Sequence, residues 1–389
     1  MKIALVAQDV QLEQQAGTSE DAQLTELSRS LAGCGHKVTV YTRKHHASQP
    51  ARVAAGGVRV IPLGPVTDGQ DPLDGMSAFT GLLRTSWTKN RPDLVHAVRW
   101  DSGLAALAAS RDLGIPLVQA FGSLGVAEQR HKLALGAAGT ARMRLEPAIG
   151  RGAVAVLAAN SDQAADLAHL GVPRSSVRVV PCGIDTDQFA PEGPVAARNS
   201  RPRLVTVTDY TEQSEISTLL RAMSRVPEAE LIVAGGPLRA ELSGLKEYQA
   251  LSGLAESLGV ADRVAFAGQV SRSQLPALLR SADLFVHTAT YDPAGIVPLE
   301  AMACGTAVVT PASGAPADAV VDGTSGILVE PGRPALLAQR IRHLLARPML
   351  IEGYGLAAAD RVRSRYSWDR IASEIIAVYD HALTLTEAA

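Results

Sequence analysis

The sequence has little cysteine, little net charge and no long apolar run. Its three cysteines are widely spaced and odd in number, which argues against a disulfide framework, and no CxxC or HxxxH spacing suggests a zinc site. A formal net charge of −2 provides no global field for nucleic acid or anionic lipid. No segment approaches the roughly 18 apolar residues of a membrane span, and the opening MKIALVAQDV is polar again by Gln8. We therefore expect a cytoplasmic protein without a metal, a nucleic-acid partner or a membrane span.

Apolar runs alternate with helical patterns along the chain. A strand at 2–7, a helix at 21–36 with Leu24, Leu27 and Leu31 at helical spacing, and a strand at 37–42 make a βαβ crossover. The same pattern predicts strands at 93–98, 116–121, 155–160, 204–208, 230–236, 263–268, 283–289 and 307–311, and helices that include 102–112, 215–226 and 245–258. Such alternation is typical of α/β folds with parallel sheets.

A chain of 389 residues is too long for one ordinary core. The alternation breaks at 182–203, a loop-like stretch with three prolines and two glycines, and then restarts. Two doubly wound, Rossmann-like domains that face each other are therefore predicted, with 335–389 mostly helical.

The segment YDPAGIVPLEAMACG, residues 291–305, places two carboxylates around the start of a helix. Gly295 and Pro298 suit the turn and the first helical positions, and free N–H groups at 295–297 with the helix dipole would attract an anion. A carboxylate beside an anion site makes sense if it binds hydroxyls, and a nucleotide sugar offers both groups. The alternative for Asp292 or Glu300 alone is a solvent-facing helix start with a favourable N-terminal charge.

With this motif the chain resembles the family 4 glycosyltransferases, retaining enzymes of the GT-B fold. Further similar segments span nearly the whole chain, at 24–42, 92–106, 177–191, 262–286, 320–338 and 366–372. The resemblance is strongest to the actinobacterial type that uses sugar acceptors such as inositol phosphate. It implies an acceptor-side domain at 1–190, a nucleotide-sugar domain at 191–365 and a terminal helix at 366–389 that packs back on the first domain.

The resemblance also implies roles for particular residues. Glu300 would bind the ribose of a UDP- or GDP-sugar, and Asp292 would replace the family's first glutamate as the catalytic contact to the transferred sugar. The other donor-binding positions would be Gly17, Gly268, Val270, Gly295, Ile296 and Val297, and the acceptor would meet Arg99, Ser123 and Arg144. No metal or cofactor is required, because the nucleotide sugar is a substrate.

Several positions depart from the family pattern. Gly122 stands where the family has a histidine that contacts the transferred sugar. Asp209, Ser214 and Glu215 stand where an arginine and a Lys-Gly pair would grip the diphosphate. Two functions are therefore open: a retaining glycosyltransferase acting on a small acceptor, or a degenerate relative that serves as a binding or partner subunit. A glycosidase is disfavoured, because carboxylates on a turn and a helix start are not placed across a scissile bond. A sugar-nucleotide epimerase is disfavoured, because no arrangement supplies its acid/base carboxylates.

Overall fold

The computed structural model describes residues 1–8, 19–44, 49–50, 53–55, 57–64, 71–133, 135, 138–208, 210 and 213–387. The chain divides into two compact units. The first comprises Met1–Gly183 with Trp368–Ala389, and the second comprises Ile184–Ser367. The sequence prediction had set its divisions at 190/191 and 365/366.

The first unit is built on an eight-stranded sheet in the order β3-β4-β2-β1-β5-β6-β7-β8. Its strands are β1 (Lys2–Val6), β2 (Lys37–Arg43), β3 (Val53–Ala55), β4 (Val58–Leu63), β5 (Leu94–Val98), β6 (Leu117–Ala120), β7 (Ala155–Ala158) and β8 (Val177–Val179). Every pair is parallel except β3 with β4. The strand order reverses between β1 and β5, which is the place where doubly wound sheets bind ligands.

Seven α-helices are described in this unit: α1 (Ser19–Gly33), α2 (Met76–Lys89), α3 (Trp100–Arg111), α4 (Gly125–Arg130), α5 (Gly139–Gly152), α6 (Ser161–His169) and, from the chain's end, α14 (Trp368–Glu387). Leu24, Leu27 and Leu31 of α1 are buried as predicted. The α14 helix packs beside them in the same core and contributes Ile371, Ile375, Val378, Tyr379 and Ala382 at helical spacing.

The second unit is built on a six-stranded, fully parallel sheet in the order β11-β10-β9-β12-β13-β14. Its strands are β9 (Arg203–Val207), β10 (Glu230–Ala234), β11 (Val264–Gly268), β12 (Leu284–Val286), β13 (Ala307–Pro311) and β14 (Ile327–Val329). Its helices are α7 (Gln213–Met223), α8 (Lys246–Ser257), α9 (Leu275–Arg280), α10 (Ile296–Ala303), α11 (Gly314–Ala319), α12 (Pro334–Leu345) and α13 (Pro348–Arg365). This strand order is the Rossmann arrangement, and its switch point lies between β9 and β12.

The sheets confirm the predicted α/β class with two Rossmann-like domains. All the predicted strands form, although β12 ends at Val286 rather than 289. The short strands β3, β4, β8 and β14 were not predicted. Within the described residues, no helix is long and apolar enough to cross a membrane.

Candidate functional site

The switch point of the second sheet gathers the carboxylates of the 291–305 motif. The chain leaves β12 at Val286, passes through His287 and the loop to Gly295, and enters α10. Parallel strands end at one edge of their sheet, so this loop lies where an open α/β sheet binds ligands. The short apolar strand and the Gly-Ile-Val-Pro turn therefore bring both motif carboxylates to one edge.

Asp292 organises the turn that leads into α10. Its Oδ1 accepts a hydrogen bond from the Gly295 N–H at 2.7 Å, and its Oδ2 lies 3.1 Å from Nε2 of the buried His287. Burial alone would raise the pKa of Asp292, but contact with His287 and the N–H groups of Gly295 and Ala294 outweigh burial and lower it. Asp292 is therefore an ionised carboxylate with a hydrogen bond at Oδ1 and the His287 ring beside Oδ2.

Gly295 is required by the geometry of this turn. Its φ is +62°, in the left-handed region, and an added Cβ would lie 2.8 Å from Cβ of Ala315. The sequence predicted exposed N–H groups at 295–297, and this is wrong for Gly295, because its N–H is donated to Asp292. Ile296 is buried and Val297 is half-buried, and their first-turn N–H groups have no acceptor among the described residues. These two N–H groups at the helix N-terminus are suited to an anion.

Glu300 lies inside α10 and is fully buried. The guanidinium of Arg272 forms an ion pair with Oε1, and neither Oε1 nor Oε2 has a hydrogen bond of regular geometry among the described residues. Burial raises the pKa of Glu300 to about 7, against the lowering effect of Arg272. A buried carboxylate oxygen without a donor is costly, so Oε2 is suited to receive a hydroxyl.

Arg272 was not identified from the sequence. Its side chain is 37% exposed, and its guanidinium lies over the ring of the buried Phe189 at 4.5 Å. The Gln188 amide donates to the Arg272 carbonyl at 3.0 Å. An arginine in the polar segment SRSQ gives no local signal, because its pairing with Glu300 depends on tertiary structure.

The acidic residue at 215 has a structural partner. The buried Glu215 carboxylate, in the first turn of α7, accepts a hydrogen bond from the Thr290 N–H in the loop before Asp292. It therefore links α7, which follows β9, to the loop that follows β12. Asp209 lies outside the described residues, as does the side chain of Ser214.

Gly268 and Val270 were predicted to flank a base. Gly268 is buried at the end of β11 with φ +71°, and an added Cβ would lie 2.6 Å from the Arg239 backbone nitrogen. The Gly235 N–H donates to the Gly268 carbonyl at 2.8 Å. Close packing of two backbones thus requires glycine at 268, and Val270 follows it, half-buried.

In the first unit, Arg99 lies at the switch point of the sheet. It follows β5 with φ +73°, a strained conformation for a side chain of this size. One of its guanidinium nitrogens lies 3.5 Å from Oδ2 of the buried Asp101. Strained backbone conformations of this kind are found more often at functional sites, and the acceptor-binding role of Arg99 stays a prediction.

Ser123 belongs to a network of charged side chains. Its hydroxyl donates to Glu128 at 2.6 Å and accepts from Arg142 at 3.0 Å, and Arg142 also pairs with Glu128 and Glu146. This network encloses Arg142, and only 11% of its side chain is exposed. Arg144, on the same helix, is exposed.

Two glycines singled out in the sequence remain, Gly122 and Gly17. Gly122 follows β6 with φ +69° and its carbonyl accepts from Gln163, while an added Cβ would meet no atom within 4 Å. Gly17 lies outside the described residues.

Two family models match the chain. The model described as Glycosyl transferase 4-like domain matches residues 21–183, and the model described as Glycosyl transferases group 1 matches residues 192–359.

Curated relatives extend over the whole chain. D-inositol 3-phosphate glycosyltransferase 2 of Catenulispora acidiphila is 33% identical over 98% of this chain and 95% of its own length. D-inositol 3-phosphate glycosyltransferase of Xylanimonas cellulosilytica is 30% identical over 95% of this chain and 94% of its own.

Solved structures share the fold. Sucrose-phosphate synthase from Thermosynechococcus elongatus matches with a TM-score of 0.84 at 25% identity over 100% of both chains. The Anabaena protein HepE, solved in complex with UDP-glucose, matches with a TM-score of 0.76 at 18% identity over 98% of this chain and 100% of its own. The fold is that of the two-domain GT-B transferases. The chain belongs to the family 4 glycosyltransferases and is an enzyme of that class.

Proposed function

We propose that this enzyme moves a sugar from a nucleoside-diphosphate sugar to a small phosphorylated polyol, with retention at the anomeric carbon. The observation that carries the proposal is Glu300: a fully buried carboxylate at the switch point whose Oε2 lacks a donor. Hydroxyls of a ribose would supply that donor. The acceptor class is taken from the relatives, whose names specify D-inositol 3-phosphate.

The donor would bind to the second unit. Glu300 would hold the ribose, and the N–H groups of Ile296 and Val297 would hold the diphosphate at the start of α10. Asp292 would contact the transferred sugar while it keeps the turn in place. Gly268 and Val270 would flank the base. In this scheme Arg99, Ser123 and Arg144 of the first unit bind the acceptor.

The reaction would be a substitution on one face of the sugar. The bond from the anomeric carbon to the diphosphate breaks, the acceptor oxygen bonds to the same face, and the departing phosphate oxygen takes the acceptor proton. Negative charge then grows on the diphosphate. Fixed N–H donors at Ile296 and Val297 would stabilise such charge without reorganisation. Electrostatic stabilisation of this kind is the largest contribution to rate enhancement in many enzymes.

The test is an assay of UDP- and GDP-sugars against D-inositol 3-phosphate. Release of the nucleoside diphosphate and formation of a glycosylated product are measured by mass spectrometry, and the anomeric configuration by NMR. Glu300→Ala is expected to abolish nucleotide binding, whereas Arg340→Gln, at an exposed position on α12, is expected to change neither step. Nucleotide binding without transfer to any acceptor would favour the degenerate binding protein. Absence of nucleotide binding in the wild type would reject the proposal.

A further inference from the structure

Glu300 has a partner that orients it. The guanidinium of Arg272 forms an ion pair with Oε1 of the Glu300 carboxylate. The other oxygen, Oε2, is buried and has no donor among the described residues. The carboxylate is therefore ion-paired at Oε1, while Oε2 can still accept a hydrogen bond from a ligand.

Arg272 is itself held in place by two contacts. Its guanidinium lies over the Phe189 ring at 4.5 Å, within the range of a cation–π contact. Its backbone carbonyl accepts from the Gln188 side chain. Both contacts come from one short segment, 188–189: the Phe189 ring supports the guanidinium, and the Gln188 amide holds the backbone of Arg272.

This arrangement differs from an ordinary surface ion pair. Glu300 is fully buried, whereas the Arg272 side chain is 37% exposed, so the charge reaches the carboxylate from the solvent side. A lysine could neutralise a carboxylate, but a planar guanidinium stacked on a ring also fixes the direction in which the carboxylate faces.

We propose that Arg272 is a positioning residue for the donor, which holds the Glu300 carboxylate so that Oε2 is presented to the ribose hydroxyls. This inference rests on the proposed function, because it needs a ribose at Glu300. Arg272 acts through Glu300 and touches no reacting atom.

The experiment compares ribose recognition rather than stability. Calorimetric titration measures the Kd of UDP and GDP, and of their 2′,3′-dideoxy analogues, for the wild type, Arg272→Gln, Arg272→Lys and Glu300→Gln. Arg340→Gln is the matched control, since it removes an exposed arginine of the same unit. The measured quantity is the ratio of the dideoxy Kd to the ribose Kd, which a general loss of folding does not alter.

The wild type is expected to prefer the ribose form by about tenfold or more, as hydrogen bonds to a charged group imply. Arg272→Gln and Glu300→Gln should each bring the ratio close to one, and the double variant should add little to either. Arg272→Lys should recover only part of the preference, and Arg340→Gln should keep all of it.

Other outcomes overturn the inference. An unchanged ratio in Arg272→Gln would mean that Glu300 is oriented without the arginine. Tighter UDP or GDP binding by Arg272→Gln would mean that the arginine competes with the ribose. If the wild type binds neither nucleotide, or binds both forms equally, the proposed function fails together with the inference. A wild-type preference that only Glu300→Gln removes leaves the function standing and rejects the role of Arg272.

Discussion

Nε2 of His287 lies 3.1 Å from Oδ2 of Asp292, and the opposite oxygen of the same carboxylate accepts the N–H of Gly295. One side chain thus connects His287, which follows β12, to Gly295, which precedes α10. This contact defines the shape of the loop before any ligand binds. Asp292 is therefore part of the scaffold of the site as well as a candidate contact to the sugar.

Replacing Asp292 separates these two roles. Asp292→Asn keeps an oxygen for the Gly295 N–H, so we expect less than about 1 kcal/mol of lost stability and a transfer rate at least about tenfold lower. Asp292→Ala loses both contacts and is expected to destabilise the second unit by about 1.5–3 kcal/mol. Hydrogen exchange at α10 and a transfer assay measure the two effects. Wild-type transfer by Asp292→Asn would restrict the residue to the scaffold.

A glycine pair in the second unit tests the turn geometry. Gly295→Ala places a methyl group 2.8 Å from Ala315 at φ +62°, and we expect a loss of about 2–3 kcal/mol. Gly253→Ala is the matched control, because Gly253 lies exposed in α8 with no atom within 4 Å of the added Cβ. That change should stabilise the protein by about 0.5–1 kcal/mol. Urea unfolding followed by circular dichroism measures both, and equal effects would contradict this turn geometry.

Much of the fold follows from the pattern of apolar residues. Continuous runs such as those of β1 and β13 are buried on both faces, so the sequence predicts them directly. The three-residue strands β8 and β14 are too short to show a pattern, and the antiparallel β3–β4 pair interrupts a series that otherwise alternates with helices.

The candidate site could be predicted only where the signal is local. Glu300 and Gly295 belong to one motif with a turn, and the sequence identifies both. Arg272 pairs with Glu300, and Glu215 accepts a hydrogen bond from Thr290. Both partners are distant in the chain, and nothing near Arg272 or Glu215 indicates them. The sequence gives residue types in order, whereas these pairings arise when separate strands meet at one sheet edge.

His96 makes the first unit sensitive to acid. Burial lowers the pKa of His96 to about 4, and its Nδ1 lies 2.6 Å from the hydroxyl of Tyr379 on α14. The unfolded chain binds a proton near pH 6.5, so between pH 6.5 and 4 it holds more protons than the folded state. Stability must therefore fall as the pH drops through this window, by on the order of 3 kcal/mol in full.

Tryptophan fluorescence measures this loss, because Trp87, Trp100 and Trp368 all lie in the first unit. Denaturant unfolding at pH 7 and pH 4.5 is compared between the wild type and His96→Gln. The variant should be less stable at pH 7 and show a smaller loss on acidification. An equal loss in both proteins would mean that other groups cause the acid sensitivity.

Gly122 offers a test of the missing family histidine. Its φ of +69° is in a region where histidine is found more often than most residues, and its Cβ position is open. Gly122→His should therefore fold, at a cost of about 1 kcal/mol, and should raise the transfer rate if the histidine role can be restored. Gly122→Asn, of similar backbone preference, is the control. Equal rates in both variants would indicate that this position does not limit transfer.

The pH dependence of nucleotide binding tests the ionisation of Glu300. Its pKa is about 7 in the free protein, and ribose hydroxyls donate best to the carboxylate form. The contact with Arg272 lowers the pKa of Glu300, against the effect of burial. Cys304, which directly follows α10, stays neutral because burial raises the pKa of its thiol to about 12. Binding of UDP or GDP should therefore weaken about tenfold from pH 8 to pH 6. Glu300→Gln supplies the reference, because the phosphate of the nucleotide titrates in both proteins, and parallel wild-type and variant profiles would show that Glu300 does not ionise in this range.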